Sequence, residues 1–145
     1  MSKRGKNIVK VGFVQSSPIF GQKQENYSEV ERLVENQKLD LLVLPELFAT
    51  GYAFVSEEEA KELSEDLSGE TANFLQNLAD TIEGVIVGGF VEKTESDLYN
   101  SAMIVDSRGV IDVYRKIHLF NKEKLWFKPG NKPFNVVELN YLGGV

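Results

Sequence analysis

The sequence predicts a layered α+β fold in one domain, and three observations carry that prediction. A short, wholly apolar run at residues 41–44 is closed by Pro45. Two stretches place apolar residues at helical spacing and a third is rich in helix formers, and three strand-like segments succeed one another after residue 84 with turn-rich breaks between them. At 145 residues the chain is of one-domain length, enough to bury roughly two-thirds of its unfolded surface.

Residues 7–14 alternate apolar and polar before tightening into an apolar end, which predicts a first strand entering a sheet interior. Ser16-Ser17-Pro18 and Gly21 then break it. From Asn26 onward, Tyr27, Val30, Leu33 and Val34 share one helical face with Glu29, Glu31, Arg32 and Glu35 between them, and Asn26 or a neighbour is expected to cap that helix. The run 41–44 reads as a strand buried on both faces, in an α/β or a layered α+β arrangement, and places whatever follows Pro45 at the strand's end.

Helices are expected over 56–63 and 68–83, the second carrying Phe74, Leu75, Leu78, Ala79 and Ile82 on one side and stopping at Gly84. Segments 85–91, 98–106 and 110–115 are expected as a meander of three strands, with turns at 93–97 and 107–109. Residues 118–132, which contain Pro129-Gly130, read as a site-type loop with one helical turn. A further strand is expected at 136–139, and 141–145 then form a turn with no element behind it. Neither repeats nor low-complexity tracts interrupt the chain.

Composition narrows the classes of function. The 42% hydrophobic and 26% charged fractions suit a globular protein. No apolar run approaches the roughly 18 residues of a membrane span, and the basic start (Lys3, Arg4, Lys6) leads into a strand-like segment, so no membrane partner is expected and the cytoplasm is the expected location. The 145 residues contain no cysteine, which leaves them without a disulfide, a thiolate metal site or a thiol nucleophile. A single histidine, His118, rules out a histidine metal cluster, and neither a metal nor an organic cofactor is expected. The net charge of −6 opposes nonspecific nucleic-acid binding. Acidic residues crowd 56–100 and basic ones crowd 108–132. This reads as two solvated faces of opposite sign, or as a basic rim beside a site for carboxylate-bearing substrates.

Glu46 is the first candidate for chemistry, because a carboxylate directly after a buried strand and a proline is held at the sheet's end, where burial would tune it toward general-base work. Lys116 is the second: an alternating strand turns Tyr114, Lys116 and His118 to one side, and a lysine fixed near a carboxylate stabilises an oxyanion as a permanent charge. Each has an ordinary alternative, a surface glutamate ending a strand and a solvated lysine. His118 suggests a serine hydrolase, yet no Gly-x-Ser-x-Gly elbow occurs, and a structural hydrogen-bonding role suits it better. Glu123 is by itself a loop carboxylate.

In combination these residues take on a pattern. Leu41-Leu42-Val43-Leu44-Pro45-Glu46-Leu47-Phe48-Ala49-Thr50-Gly51-Tyr52 resembles the first signature of the nitrilase superfamily of carbon–nitrogen hydrolases. Tyr114-Arg115-Lys116-Ile117-His118-Leu119-Phe120, followed by Pro129-Gly130, resembles its second. Val87-Gly88-Gly89-Phe90 and Tyr99-Asn100-Ser101-Ala102 fit the family's habit between them, and the likeness runs from Lys10 to the end.

The resemblance implies a four-layer α-β-β-α sandwich, with residues 1–145 forming the N-terminal part of a single hydrolase domain and supplying roughly its first half. It implies a Glu-Lys-Cys triad acting on a non-peptide carbon–nitrogen bond of a small-molecule amide, an ω-amide, a carbamoyl group or, less often, a nitrile. By position Glu46 corresponds to the general base, Lys116 to the cation that stabilises the tetrahedral intermediate, and Glu123 to a second glutamate that positions substrate or assists the lysine. The cysteine is expected a few residues past Val145, so the chain alone is expected to be inactive. The rival expectation is a non-catalytic product or interaction module on the same scaffold. A half-sandwich with an open apolar sheet face is also expected to self-associate as a homo-oligomer.

Overall fold

The computed structural model describes residues 8–139. The basic start at Lys3, Arg4 and Lys6, the first residue of the expected strand 7–14, and the expected turn at 141–145 lie outside the described residues. Nine elements follow in order: β1 (Val11–Phe13), α1 (Lys23–Leu33), β2 (Leu41–Val43), α2 (Glu57–Glu62), α3 (Glu70–Ile82), β3 (Val85–Lys93), β4 (Leu98–Asp106), β5 (Gly109–Arg115) and a 3-10 turn at Asn121–Leu125. The strands make one sheet in the order β1-β2-β3-β4-β5. β1, β2 and β3 run parallel, connected through helices, whereas β3, β4 and β5 form the expected antiparallel meander.

One face of the sheet is covered by α1 and α3. Their Tyr27, Val30, Leu75, Leu78 and Ile82 pack with Leu42, Leu44, Ile86, Phe90, Met103 and Val105 into the main core. The helical period explains α3: Leu75, Leu78, Ala79 and Ile82 recur at steps of three and four, all are buried, and Phe74 at the margin stacks on Tyr27 at 4.3 Å between ring centroids. The helix closes one residue earlier than expected, with Glu83 in the left-handed conformation and Gly84 beyond it.

The opposite face is open. Val11 and Phe13 are 63% and 77% exposed, Val43 is exposed, and Val87, Ala102 and Ile104 are partly exposed beside them. The chain thus supplies one helix layer and one sheet of a layered α+β fold. No helix among the described residues is long and apolar enough to cross a membrane.

Four expectations need correction. The strand at 41–44 is buried on one face only, because Val43 points to the open side and is 38% exposed. Asn26 lies inside α1, which begins at Lys23. Its buried side chain bonds Ile19 N, Ile19 O and Ala49 O, tying the loop before α1 to the turn after β2 rather than capping the helix. Residues 136–139 are not a strand: the segment has no ladder partner among the described residues, and Val136 is 85% exposed. The preceding residues contact β5 through side chains, with Asn135 donating to Asp112 and Phe134 stacked on Tyr114. An apolar alternation becomes a strand only where a sheet edge accepts its backbone bonds. His118 is exposed and makes no hydrogen bond to another described residue, because β5 ends at Arg115 and the chain bends away before reaching it.

Candidate active site

The site forms where β2 ends, and its position follows from the backbone that leads there. Leu44 N–H still donates to Val87 O at 2.8 Å, so the sheet holds the chain up to Pro45. Past Glu46, Leu47 takes a positive φ of 48°, and its carbonyl accepts from Thr50 N and Gly51 N, closing a tight turn. This turn lies against β3 at Gly89, where a Cβ would come within 2.5 Å of Leu47 N and 2.9 Å of Glu46 Cα. The second glycine of Val87-Gly88-Gly89-Phe90 is thus what lets the Glu46 backbone rest on the sheet.

Lys116 follows β5 directly, and its N–H continues the ladder to Asn100 O at 2.8 Å. Its neighbour Arg115 points to the helix-covered face, where it meets Glu92 at 2.9 and 2.5 Å, lies 4.3 Å from the Tyr99 ring centre, and shares Glu92 with the Ser101 hydroxyl at 2.6 Å. Glu92 is 2% exposed. With Arg115 fixed on that side, alternation turns Lys116 to the other.

The loop that carries Glu123 is stitched to the same strands, since Lys128 N donates to Leu98 O and Gly130 N to Lys116 O. A Cβ on Gly130 would fall 2.1 Å from Arg115 O, which accounts for glycine after Pro129.

The three candidate residues meet. Lys116 Nζ donates to Glu46 Oε1 at 2.8 Å and to Glu123 Oε2 at 2.9 Å. Glu123 Oε2 also accepts from Phe120 N at 2.7 Å, which anchors the start of the 3-10 turn. Burial pushes the Glu123 carboxyl up. The hydrogen bonds from Phe120, Lys116 and Asn100, with the lysine's charge, outweigh it and hold Glu123 below the usual glutamate value. For Lys116 burial pulls the ammonium down, but its bonds to Glu46 and Glu123 and their charges prevail, raising it above the usual lysine value. The ammonium is thus held in its charged form by its two carboxylate partners. The deep burial expected for Glu46 is absent: its side chain is 52% exposed and faces a cleft.

That cleft, about 410 Å³, is bounded by Glu46, Tyr52, Phe54, Lys116, Phe120 and Trp126. Beneath it lies a second apolar cluster in which Leu47, Phe54, Val91, Leu98 and Phe127 are buried, with Phe54 edge-on to Phe127 at 5.8 Å. Among the described residues no group of three or more His, Cys, Asp or Glu side chains is placed to hold a metal ion.

One member of the site escapes sequence reasoning. Asn100, 3% exposed in the middle of β4, donates its side-chain amide to Glu46 Oε1 at 2.8 Å and to Glu123 Oε1 at 2.6 Å. The signal was present in Tyr99-Asn100-Ser101-Ala102, whose asparagine lands on the same face as Lys116 by strand register.

Residues 10–142 match the family model described as carbon-nitrogen hydrolase. A nitrilase of Pyrococcus abyssi (strain GE5 / Orsay) is 44% identical over 139 residues, which cover 93% of this chain and 53% of that protein. A 2-oxoglutaramate amidase of Bacillus subtilis (strain 168) is 34% identical over 119 residues, covering 78% and 45% respectively. Among solved structures, a CN-hydrolase superfamily protein from Xanthomonas campestris with an arsenic adduct in its active site matches with a TM-score of 0.79 at 26% identity, over 89% of this chain and 49% of that one. The chain spans about half the length of these relatives.

Proposed function

The chain belongs to the carbon-nitrogen hydrolase family, and from that premise we propose that its cleft is the acid–base portion of a site that hydrolyses a non-peptide carbon–nitrogen bond. The substrate class is a small amide, an ω-amide or a carbamoyl group, with nitriles as the less frequent case. The relatives named as a nitrilase and as a 2-oxoglutaramate amidase support that range.

The observation that carries the reading is the division of hydrogen bonds around Lys116. An ammonium has three donors, and two of them go to Glu46 and Glu123, leaving one for the cleft. Glu46 receives its bonds on Oε1, and its Oε2 accepts none from the described residues. Glu123 is engaged on both oxygens. In the proposed mechanism Glu46 Oε2 takes the proton from the attacking thiol and passes it to the departing nitrogen, then takes a proton from the water that cleaves the thioester and returns it to the freed thiolate. The third N–H of Lys116 faces the oxyanion of the tetrahedral intermediate, and Glu123 keeps that cation in place.

The nucleophile of this mechanism is a cysteine, which the 145 residues do not contain, and these residues alone are expected to turn over no amide. The rival reading is a non-catalytic scaffold. Intact mass, thiol titration and ammonia release, measured on one preparation of the native-source protein, separate the two. The hydrolase reading expects a thiol whose alkylation stops ammonia release from small amides, ω-amides or carbamoyl compounds. No thiol and no release would establish the scaffold, and ammonia release from a thiol-free protein would overturn the need for cysteine.

A further inference from the structure

The site holds two carboxylates around one ammonium, and the group between the carboxylates is neutral. Asn100 is buried in the middle of β4, at a position where strand register leaves little freedom to either its backbone or its side chain. Its carbonyl accepts from Lys116 N at 2.8 Å, so the same residue fixes the lysine's backbone and reaches both acids. The charged groups facing it are Glu46 from the end of β2, Lys116 from the end of β5 and Glu123 from the loop.

The orientation of the amide follows from its surroundings. Turned the other way, it would set its carbonyl oxygen against two carboxylate oxygens, three acceptors with no proton among them. With the NH2 inward, each acid receives one N–H. A charged residue here would change the balance: a second lysine would neutralise the remaining negative charge, and an aspartate would add a third.

We propose that Asn100 is the positioning residue of this site: its amide holds Glu46 and Glu123 on either side of Lys116 and keeps Glu46 Oε2 turned to the cleft. This rests on the hydrolase reading for its catalytic meaning, but not for its geometry. Glu46 is the member that needs the constraint. Half exposed, its side chain would otherwise be free to swing away from the lysine into solvent, and neither oxygen would be held toward the cleft.

The test is side-chain titration by NMR in the full chain carrying 15N-asparagine and 13C-carboxyl glutamate, with signals assigned through Glu46→Gln and Glu123→Gln. Both amide protons of Asn100 are expected to exchange at least about tenfold more slowly than those of exposed asparagines. They are expected to shift at the pH midpoint where the Glu123 carboxyl titrates. In Asn100→Asp the Glu123 midpoint rises by about one pH unit or more, because a donor is lost and a like charge gained. Asn100→Leu moves it the same way by less. Asp112, held by Asn135 and Val113 away from the site, keeps its midpoint, which a general loosening of the fold would not allow.

Asn100 protons that exchange like exposed ones, or glutamate midpoints unmoved in folded Asn100→Asp, would overturn the proposal. Should the variants fail to fold, the unsubstituted chain decides alone. None of these readouts requires turnover, so loss of the hydrolase reading and loss of this one are told apart.

Discussion

Glu123 places both oxygens on Phe120, Lys116 and Asn100, so its charge is part of what holds the loop to the sheet. Its carboxyl is depressed in the folded chain. The stability it contributes is therefore present above the unfolded value, about 4.3, and is lost as pH falls through the lower folded value. Thermal melts from about pH 6 down to about pH 3 are expected to show a shallower acid loss in Glu123→Gln than in the parent chain, and equal slopes would contradict this. Lys116 has the opposite sign: its raised value contributes stability throughout the neutral range, lost only as pH rises above the ordinary lysine value. Behind the site, Arg115→Met would strand the Glu92 carboxylate in the core. Urea unfolding is expected to register a loss of about 3–5 kcal/mol, largely recovered when Glu92 is also made apolar. Glu46, Lys116 and Glu123 were legible as candidates because their motifs occur in order. Asn100 was not: its motif stood in the sequence, but an uncharged amide in a strand shows its role only where strand register sets it against both acids.

At the scale of elements, boundaries were legible wherever periodicity and burial agree. β4 falls where the sequence places it, and α3 starts two residues later and ends one earlier, because their apolar positions have both the right period and an opposing surface to pack on. Residues 136–139 had an apolar pattern but make no ladder bond to the outer edge of β5, which residues 134 and 135 meet only through side chains, and Asn26 had cap chemistry without a cap position, so tertiary partners decided both. The packing that supports the site is testable at α3. Leu75 is fully buried and touches the position of Gly88, so Leu75→Ala is expected to lower stability by about 2–5 kcal/mol in denaturant unfolding. Gly89→Ala acts on the site more directly, since its new methyl would strike the Glu46–Leu47 backbone. The expected outcome is a shift of the Glu46 and Asn100 signals larger than that of any residue in α1. Uniform small shifts would mean that the turn after β2 does not depend on that glycine.

On the scale of the whole molecule, the sheet is dressed on one face and open on the other. The open side carries Val11, Phe13 and Val43 in contiguous strands. Exposed apolar surface of this kind drives association, so the 145 residues in isolation are expected to elute as an oligomer in size-exclusion chromatography, and Phe13→Asp to shift them toward the monomer. A monomer unaffected by that substitution would contradict the expectation. The layered α+β class was legible from alternating elements, whereas the open face was expected only through the family resemblance, because a strand's pattern says which side is apolar and not what covers it. The central claim is that Glu46, held by Lys116 and Asn100, is the base of a carbon–nitrogen hydrolase. Its most direct test is the rate of ammonia release by the native-source protein compared with its Glu46→Gln variant. A folded variant slowed by about a thousandfold or more is the predicted result, and an undiminished rate would contradict the account.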